Sequence, residues 1–419
     1  MDATARYVEG TVRTSGPNAR RTGTARGMGT TLFKPMIDNG DTASPRFWGP
    51  SRRKLFWLVL ASKLVFFGVA ITAIELFPAF NLREYKNDLH WPRDQPPTLA
   101  THFATWDGAH YLLISEIGYE RGSPSCAFYP LWPYLIRGFA WLTIHDHFGT
   151  GLILANALSI AAFLLFHYFV EAHHGQRTAD ASLALLVAYP AALYFSLIYT
   201  ESLFLFLSIV FFLFLFRDQF FRAAVVGFFL PLTKAVGLFC LFPLLYYAWH
   251  KRKSPNTYLA FYGPALGYGC YFFTMYCATG NAFEGFQAQE FFPNQPSIAH
   301  IFDLPSFLLA LFRPLSLHGM QDSAIDRGLF LLLIGSLYRI YRLNPVYFVY
   351  ACLVGVIPAL SSWFLSYTRN LMMCFPLFIL YGTILAGPER RPWLWAVLTL
   401  MAAVQVWFLL RYINFNWVA

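Results

Sequence analysis

Charge is scarce in this chain. Of 419 residues only 22 are acidic and 31 basic, 13% together, whereas 57% are hydrophobic and 19% aromatic. A water-soluble domain draws about a quarter of its residues from the charged types. Here apolar runs recur to the last residues, more than any aqueous core requires, and a soluble fold is excluded. Cysteine is also sparse: Cys240, Cys270, Cys277, Cys352 and Cys374 fall in or beside apolar stretches and only Cys126 lies in a polar connection. That pattern excludes a disulfide framework and argues against thiol redox chemistry. There is no Walker loop, dinucleotide fingerprint or paired Asp-x-Asp, so nothing points to ATP or to a metal-bound nucleotide sugar. His145-Asp146-His147 lacks an obvious third metal ligand, and His173-His174 falls in an inner connection. No fixed-period repeat and no inverted pair of the transporter kind is present. The first apolar stretch follows about fifty polar residues and is long enough to remain as an anchor, unlike a cleaved signal peptide.

What the chain does have is a succession of apolar stretches. A crossing helix needs roughly 20 mostly apolar residues, and this pattern predicts about eleven spans between residues 55 and 411. Two of them, 222–235 and 236–249, are short and meet at Lys234, as half-helices or tilted segments do. Arg46, Arg52, Arg53 and Lys54 precede the first span. Every second connection thereafter is basic: Arg177, then Arg217 and Arg222, Lys251-Arg252-Lys253, Arg339 and Arg342, and Arg390-Arg391. The positive-inside rule places these in the cytoplasm, with the N-terminus inside and the C-terminus outside. The alternate connections 78–151, 199–201, 234–236, 279–327 and 361–366 then face outward and hold most of the acids. The net charge of +9 thus sorts by membrane side instead of gathering on one module, which argues against nucleic acid.

Residues 1–52, rich in Gly, Thr, Arg and Ser, are expected to form a disordered basic cytoplasmic tail, and 53–419 the transmembrane domain. The outer connection 78–151 is too long for a simple linker and is expected to be structured. Phe103, Trp106, His110, Tyr111, Ile114 and Ile117 recur at helical spacing, as do Leu131, Leu135, Phe139 and Leu142, predicting two amphipathic helices in the membrane interface. Gly118 to Pro124 reads as a turn between them. The Pro-rich connection 279–327 suits a cap over a cavity.

Four charged residues stand at the outer ends of apolar stretches. Asp107, beside Trp106, reads either as a general base for a hydroxyl nucleophile or as a solvated carboxylate on a helix surface. Glu201 occupies a tight turn where an acid is costly unless partnered or useful; Thr200 as N-cap with Glu201 in the first helical turn is the structural alternative. Lys234 and Arg369 read either as ligands for the phosphate of a lipid carrier or as side chains reaching toward headgroups. All four fall on one membrane face by the topology, so a shared pocket is expected.

Trp106-Asp107, the segment Ala127-Phe128-Tyr129-Pro130-Leu131-Trp132-Pro133 and the run from Tyr189-Pro190 through Tyr199-Thr200-Glu201-Ser202 to Phe204 resemble the PIG-V family, the mannosyltransferases of the second GPI mannose and their prokaryotic relatives. The resemblance extends through Thr233-Lys234 and Arg369 with Phe375-Pro376-Leu377-Phe378 to Asn416-Trp417-Val418-Ala419, leaving only the tail outside it. It implies an all-α membrane protein, a GT-C type polytopic bundle of about eleven transmembrane helices with interface helices in the first outer loop. It also implies an inverting, metal-independent glycosyltransferase without a cofactor. Its donor is a polyprenyl-phosphate hexose, with mannose as the expected sugar, and its acceptor a hydroxyl of a glycolipid or another molecule. Asp107 matches the catalytic acid residue of the family, and Trp106, His110, Tyr129, Glu201, Lys234 and Arg369 are the expected substrate contacts. The expected location is a prokaryotic inner (plasma) membrane. The alternative is a flippase for a lipid-linked sugar, against which stands the near absence of ionisable residues inside the spans, Lys63 and Glu75 in the first excepted.

Overall fold

The computed structural model describes residues 49–76, 79–93, 95–313 and 316–418. Most of the expected N-terminal tail, residues 1–48, lies outside the described residues. Among the described residues every regular element is helical, apart from one isolated bridge between Ser316 and Ser323. The first helix, α1 (Pro50–Leu76), leads into short helices α2 (Leu82–Asn87), α3 (Leu99–Phe103), α4 (Asp107–Glu116) and α5 (Leu131–Ala140). A bundle follows with α6 (His147–His174), α7 (Gln176–Ala188), α8 (Glu201–Phe216), α9 (Phe220–Thr233), α10 (Leu241–His250) and α11 (Tyr262–Thr279). The next connection carries α12 (Glu284–Gln287) and α13 (Leu304–Phe312). The chain then runs through α14 (Ala324–Leu343), α15 (Pro345–Ala351), α16 (Ile357–Ser362), α17 (Tyr367–Leu371), α18 (Phe375–Leu385) and α19 (Arg391–Ile413).

Among the described residues four helical stretches are long and apolar enough to cross a membrane: Ser51–Leu76, His147–His174, Pro345–Ser362 and Pro388–Ile413. Glu201–Phe216, Phe220–Thr233, Ala235–His250 and Phe375–Leu385 are apolar but shorter. The chain is an integral membrane protein. Breaks in the helices shorten several of the stretches that apolar length alone predicts, whereas α11 and α14 are continuous but less apolar, α14 carrying Asp326, Arg327, Arg339 and Arg342. The stretch read as 181–198 ends as α-helix at Ala188, because Pro190 has no N–H to continue the ladder, and proceeds as a 3-10 turn over Pro190–Phe195. The paired short segments meet at Lys234, whose backbone is extended at φ −153° and ψ 149°. The 3-10 turn Ala235–Cys240 then turns back on α9. Gly237 makes this turn feasible, since a Cβ there would stand 2.2 Å from the Leu230 carbonyl.

In lipid the hydrophobic effect gives little attraction between helices, so association rests on close packing. The central core is aromatic, with Phe163, Phe166 and Phe169 of α6, Phe204 and Phe212 of α8, Tyr347 of α15 and Phe375 of α18 all buried. Helix α11 approaches α9 closely at Gly267, where a Cβ would meet the Phe228 carbonyl oxygen at 2.0 Å. A second cluster packs Tyr111, Leu113, Trp132 and Ile136 of the first long connection against Tyr271 and Met275 of α11. That packing changes the character of one expected interface helix. Residues Gly108 to Ser115 of α4 are buried all round, and the helical spacing that predicts 98–118 is interrupted at residues 104–106. Helix α5 stays two-faced, burying Trp132, Pro133, Ile136 and Ala140 and exposing Phe139.

The charged connections gather at the two ends of the bundle. At one end Arg52 pairs with Glu171, Arg217 donates to the Tyr168 hydroxyl at 2.8 Å, and Lys253 lies 2.9 Å from Asp218. Arg52, placed by composition in the tail, is therefore part of α1 and buried against α6. Glu201 and Arg217 flank α8, 16 residues long, so the two ends are about 24 Å apart. Gly237→Val is expected to cut the yield of folded protein in detergent severalfold, since overpacking against backbone typically costs about 1–3 kcal/mol. Wild-type yield and wild-type elution on size exclusion would contradict the close approach.

Candidate active site

The site forms where the break before α4 meets the starts of α8 and α17 and the end of α9. Trp106 has φ 53° and ψ −125°, a conformation that costs a non-glycine residue about 1–3 kcal/mol and persists only under outside restraint. The restraint comes from two sides. The Thr105 carbonyl accepts from the Tyr199 hydroxyl at 3.1 Å and from the Tyr412 hydroxyl at 3.4 Å. The indole of Trp106 stacks on Phe415 (centroids 5.1 Å, interplanar angle 27°) and meets Trp417 edge-on at 5.2 Å. Those two aromatics belong to a segment folded back after α19. It is tied down by Arg411 Nε donating to the Trp417 carbonyl (3.0 Å), Asn81 N–H donating to the Asn414 carbonyl (3.0 Å) and His318 bonding the Val418 carbonyl. The strained turn makes Asp107 the first residue of α4, where a carboxylate faces the positive end of the helix dipole. Glu201 opens α8 in the same way. Thr200 occupies the N-cap position as expected, but its hydroxyl makes no capping bond, having an αR backbone (φ −76°, ψ −12°) in place of the extended one that aims a cap.

The four charged side chains meet. Arg369 Nη1 donates to Asp107 Oδ2 at 2.6 Å, Lys234 Nζ donates to Glu201 Oε1 at 2.6 Å, and Arg369 Nε lies 3.6 Å from that same Glu201 oxygen. Glu201 is the most enclosed, with its side chain 1% exposed against 13–17% for the other three. The guanidinium also lies over the rings of Tyr194 and Tyr199, each centroid 5.4 Å from Cζ, which adds cation–π attraction. Two cations and two carboxylates thus form one neutral chain. Glu201 Oε2 and Trp106 Nε1 are buried there without a hydrogen-bond partner among the described residues. Among the described residues no three His, Cys, Asp or Glu side chains stand close enough to hold a metal ion.

Of the seven residues that the sequence marks, five lie in or beside this cluster and two are engaged elsewhere. His110 bonds Ser125 Oγ at 2.9 Å and stacks on Phe128 at 4.4 Å. Tyr129 stacks on Tyr271 at 4.5 Å in the second packing cluster. Sequence reasoning missed the aromatic wall formed by Tyr194, Tyr199 and Tyr412. The first two sit in the run that carries the family resemblance, and Tyr412 carries no local signal. It also missed Asp88, whose carboxyl is raised above the usual range by burial and, more weakly, by the charge of Asp107.

Residues 94–252 match the family model of the mannosyltransferases (PIG-V). That stretch contains Trp106, Asp107, His110, Tyr129, Glu201 and Lys234, whereas Arg369 lies beyond it. The PIG-V match agrees with the resemblance carried by the motifs and points to glycosyl transfer. Among solved structures, ArnT from Cupriavidus metallidurans in the apo state is similar at 15% identity and a TM-score of 0.43. The alignment covers 82% of this chain and 62% of that one, so the chain spans less than two thirds of that protein's length. No curated protein matches the chain.

Burial pushes the His110 imidazole down from 6.5 to about 3. The folded protein therefore holds it neutral, whereas the unfolded chain protonates it below about pH 6.5. Its contribution to stability is fully present above that value and is lost as pH falls toward about 3. The thermal midpoint in detergent is expected to drop on acidification from about pH 7 to pH 4.5, and to drop less steeply in His110→Gln. Equal slopes for the two proteins would show that His110 is not held neutral.

Proposed function

We propose that this protein transfers a hexose, with mannose as the expected sugar, from a polyprenyl-phosphate donor to a hydroxyl of a glycolipid or related acceptor at the outer membrane face. The reading joins a GT-C type fold of about eleven spans, N-terminus inside, to an inverting and metal-independent reaction. The observation that carries it is the ion-paired chain Asp107, Arg369, Glu201 and Lys234, assembled at the end of the bundle opposite the basic connections.

The chemistry follows from those pairs. In the resting site Arg369 holds the Asp107 carboxylate in an ion pair, so that oxygen is not free for an acceptor hydroxyl. The phosphodiester of an arriving donor competes for Arg369 and Lys234, the planar guanidinium binding two oxygens and the ammonium acting as a point charge. Asp107 is thereby released toward the acceptor. It takes the proton of the acceptor hydroxyl as that oxygen bonds to C1 of the sugar. The bond from C1 to the phosphate oxygen breaks, and its electron pair leaves with the polyprenyl phosphate, whose added negative charge the two cations neutralise. Attack opposite the leaving group inverts the anomeric centre. Glu201 holds Lys234 in place through Oε1, and its unpaired Oε2 with the Trp106 indole N–H offers an acceptor and a donor for sugar hydroxyls.

The test is transfer of radiolabelled mannose from polyprenyl-phosphate mannose to endogenous lipid in membranes containing the wild-type protein or Asp107→Asn at matched expression. Transfer by the wild type and a loss of about 10²–10⁴-fold in the variant is the expected result. Full transfer by Asp107→Asn would refute the assignment of the base, and no transfer by either would favour a lipid-linked sugar flippase.

A further inference from the structure

Arg369 is presented by a fragile piece of backbone. It lies in α17, a helix of five residues, entered through Trp363, Phe364 and Ser366 at φ 48°, 72° and 56°. Three non-glycine residues in the left-handed region within four positions hold only where neighbouring contacts over-determine them. The connection read as a cap, 279–327, supplies those contacts. His300 stacks on Trp363 (4.2 Å, 13°), Ser297 N–H donates to the Ser361 carbonyl at 3.0 Å, and Asn294 Nδ2 donates to the Ser362 carbonyl at 3.2 Å. Phe364 packs on Phe307 at 5.4 Å and lies under the Arg327 guanidinium at 5.0 Å.

The decisive contact is one residue before Arg369. Asp326 Oδ1 accepts the Thr368 backbone N–H at 2.8 Å and also the Thr368 hydroxyl, while the Tyr189 hydroxyl donates to the Thr368 carbonyl at 3.0 Å. Every polar group of Thr368 is thus tied, and both Thr368 and Asp326 are buried. Asp326 is itself held, its N–H bonded to Ser323 Oγ at 3.2 Å. The adjacent Arg327 clamps the carbonyls of Ala310, Gln321 and Ser323 at 2.8–2.9 Å. A five-residue helix has no interior to fix its direction, so the anchoring of Thr368 decides where the neighbouring guanidinium points.

We propose that Asp326 is a positioning residue that acts through Thr368 to hold Arg369 against Asp107 and Glu201. As far as activity is concerned, this rests on the glycosyl-transfer reading above. Asp326 touches no substrate in this account; its loss lets Arg369 move, and a misplacement of about 1 Å in such a site costs on the order of 10²-fold.

Three variants test it: Asp326→Leu removes the acceptor, Asp326→Asn keeps an amide oxygen at the same place, and Arg369→Lys removes the planar fork. Mannose transfer per folded molecule is expected to fall about 10- to 100-fold in Asp326→Leu and to recover most of that in Asp326→Asn. The double variant Asp326→Leu/Arg369→Lys is expected to be little worse than Arg369→Lys alone, because residues that act through one another are not additive. Unchanged transfer per folded molecule in Asp326→Leu, or losses that simply add, would overturn the proposal. Hydrogen exchange supplies a readout that needs no activity: residues 363–371 should exchange faster in Asp326→Leu, and unchanged exchange there would also overturn it. If the wild type transfers no mannose, the functional reading fails while the exchange result still decides the role of Asp326. Should Asp326→Leu not accumulate as folded protein, Thr368→Val removes the hydroxyl arm alone and is held to the same outcomes.

Discussion

The bond from Arg369 to Asp107, 2.6 Å long and joining residues 262 positions apart, is the contact on which the arrangement of this molecule depends. At an effective dielectric constant near 20, opposite charges 4 Å apart attract by about 4 kcal/mol, and removing one partner of a buried pair costs about 3–5 kcal/mol. Asp107, Glu201, Lys234 and Arg369 therefore hold one another at a site where none is tolerated alone. The four charges alternate in sign. In the proposed reaction a donor phosphate would meet cations already oriented and its arrival would unbind a carboxylate, so that binding and release of the base would be a single event.

Much of the surrounding structure serves to keep that chain in register. The strained backbone at Trp106 aims Asp107. It is held by hydroxyls of Tyr199 and Tyr412 and by the aromatic rings of Phe415 and Trp417, which come from the other end of the sequence. The left-handed residues before α17 aim Arg369 and are braced by 294–327. The extended residue at the break after α9 aims Lys234, with Gly237 allowing the chain to turn back. Each charged group sits at a helix terminus or break, where the direction of a side chain is set by tertiary contacts and not by helical periodicity.

This divides what was legible in the sequence from what was not. The all-helical membrane class follows from composition, and the gathering of four charged residues at one end follows from alternating basic connections. Arginines 52 and 217 do meet acids and tyrosines at the opposite end of α8 and α6. The shortness of the two segments around Lys234 was visible in their apolar length. Periodicity did not reveal the break at 104–106, where Trp106 takes a backbone angle that no local preference favours; His110 and Tyr129, contacts implied by the family resemblance, stack on Phe128 and Tyr271. Tyr412 and Asp326 carried no local signal, since each matters only through contacts with residues far away in sequence.

The most direct measurement of the central claim is a cryo-EM structure in lipid nanodiscs with a polyprenyl-phosphate sugar bound. The account predicts the phosphate against Arg369 and Lys234, the Asp107 carboxylate freed from Arg369 and facing the anomeric carbon. Phosphate bound elsewhere, with the bond between Arg369 and Asp107 intact, would contradict it.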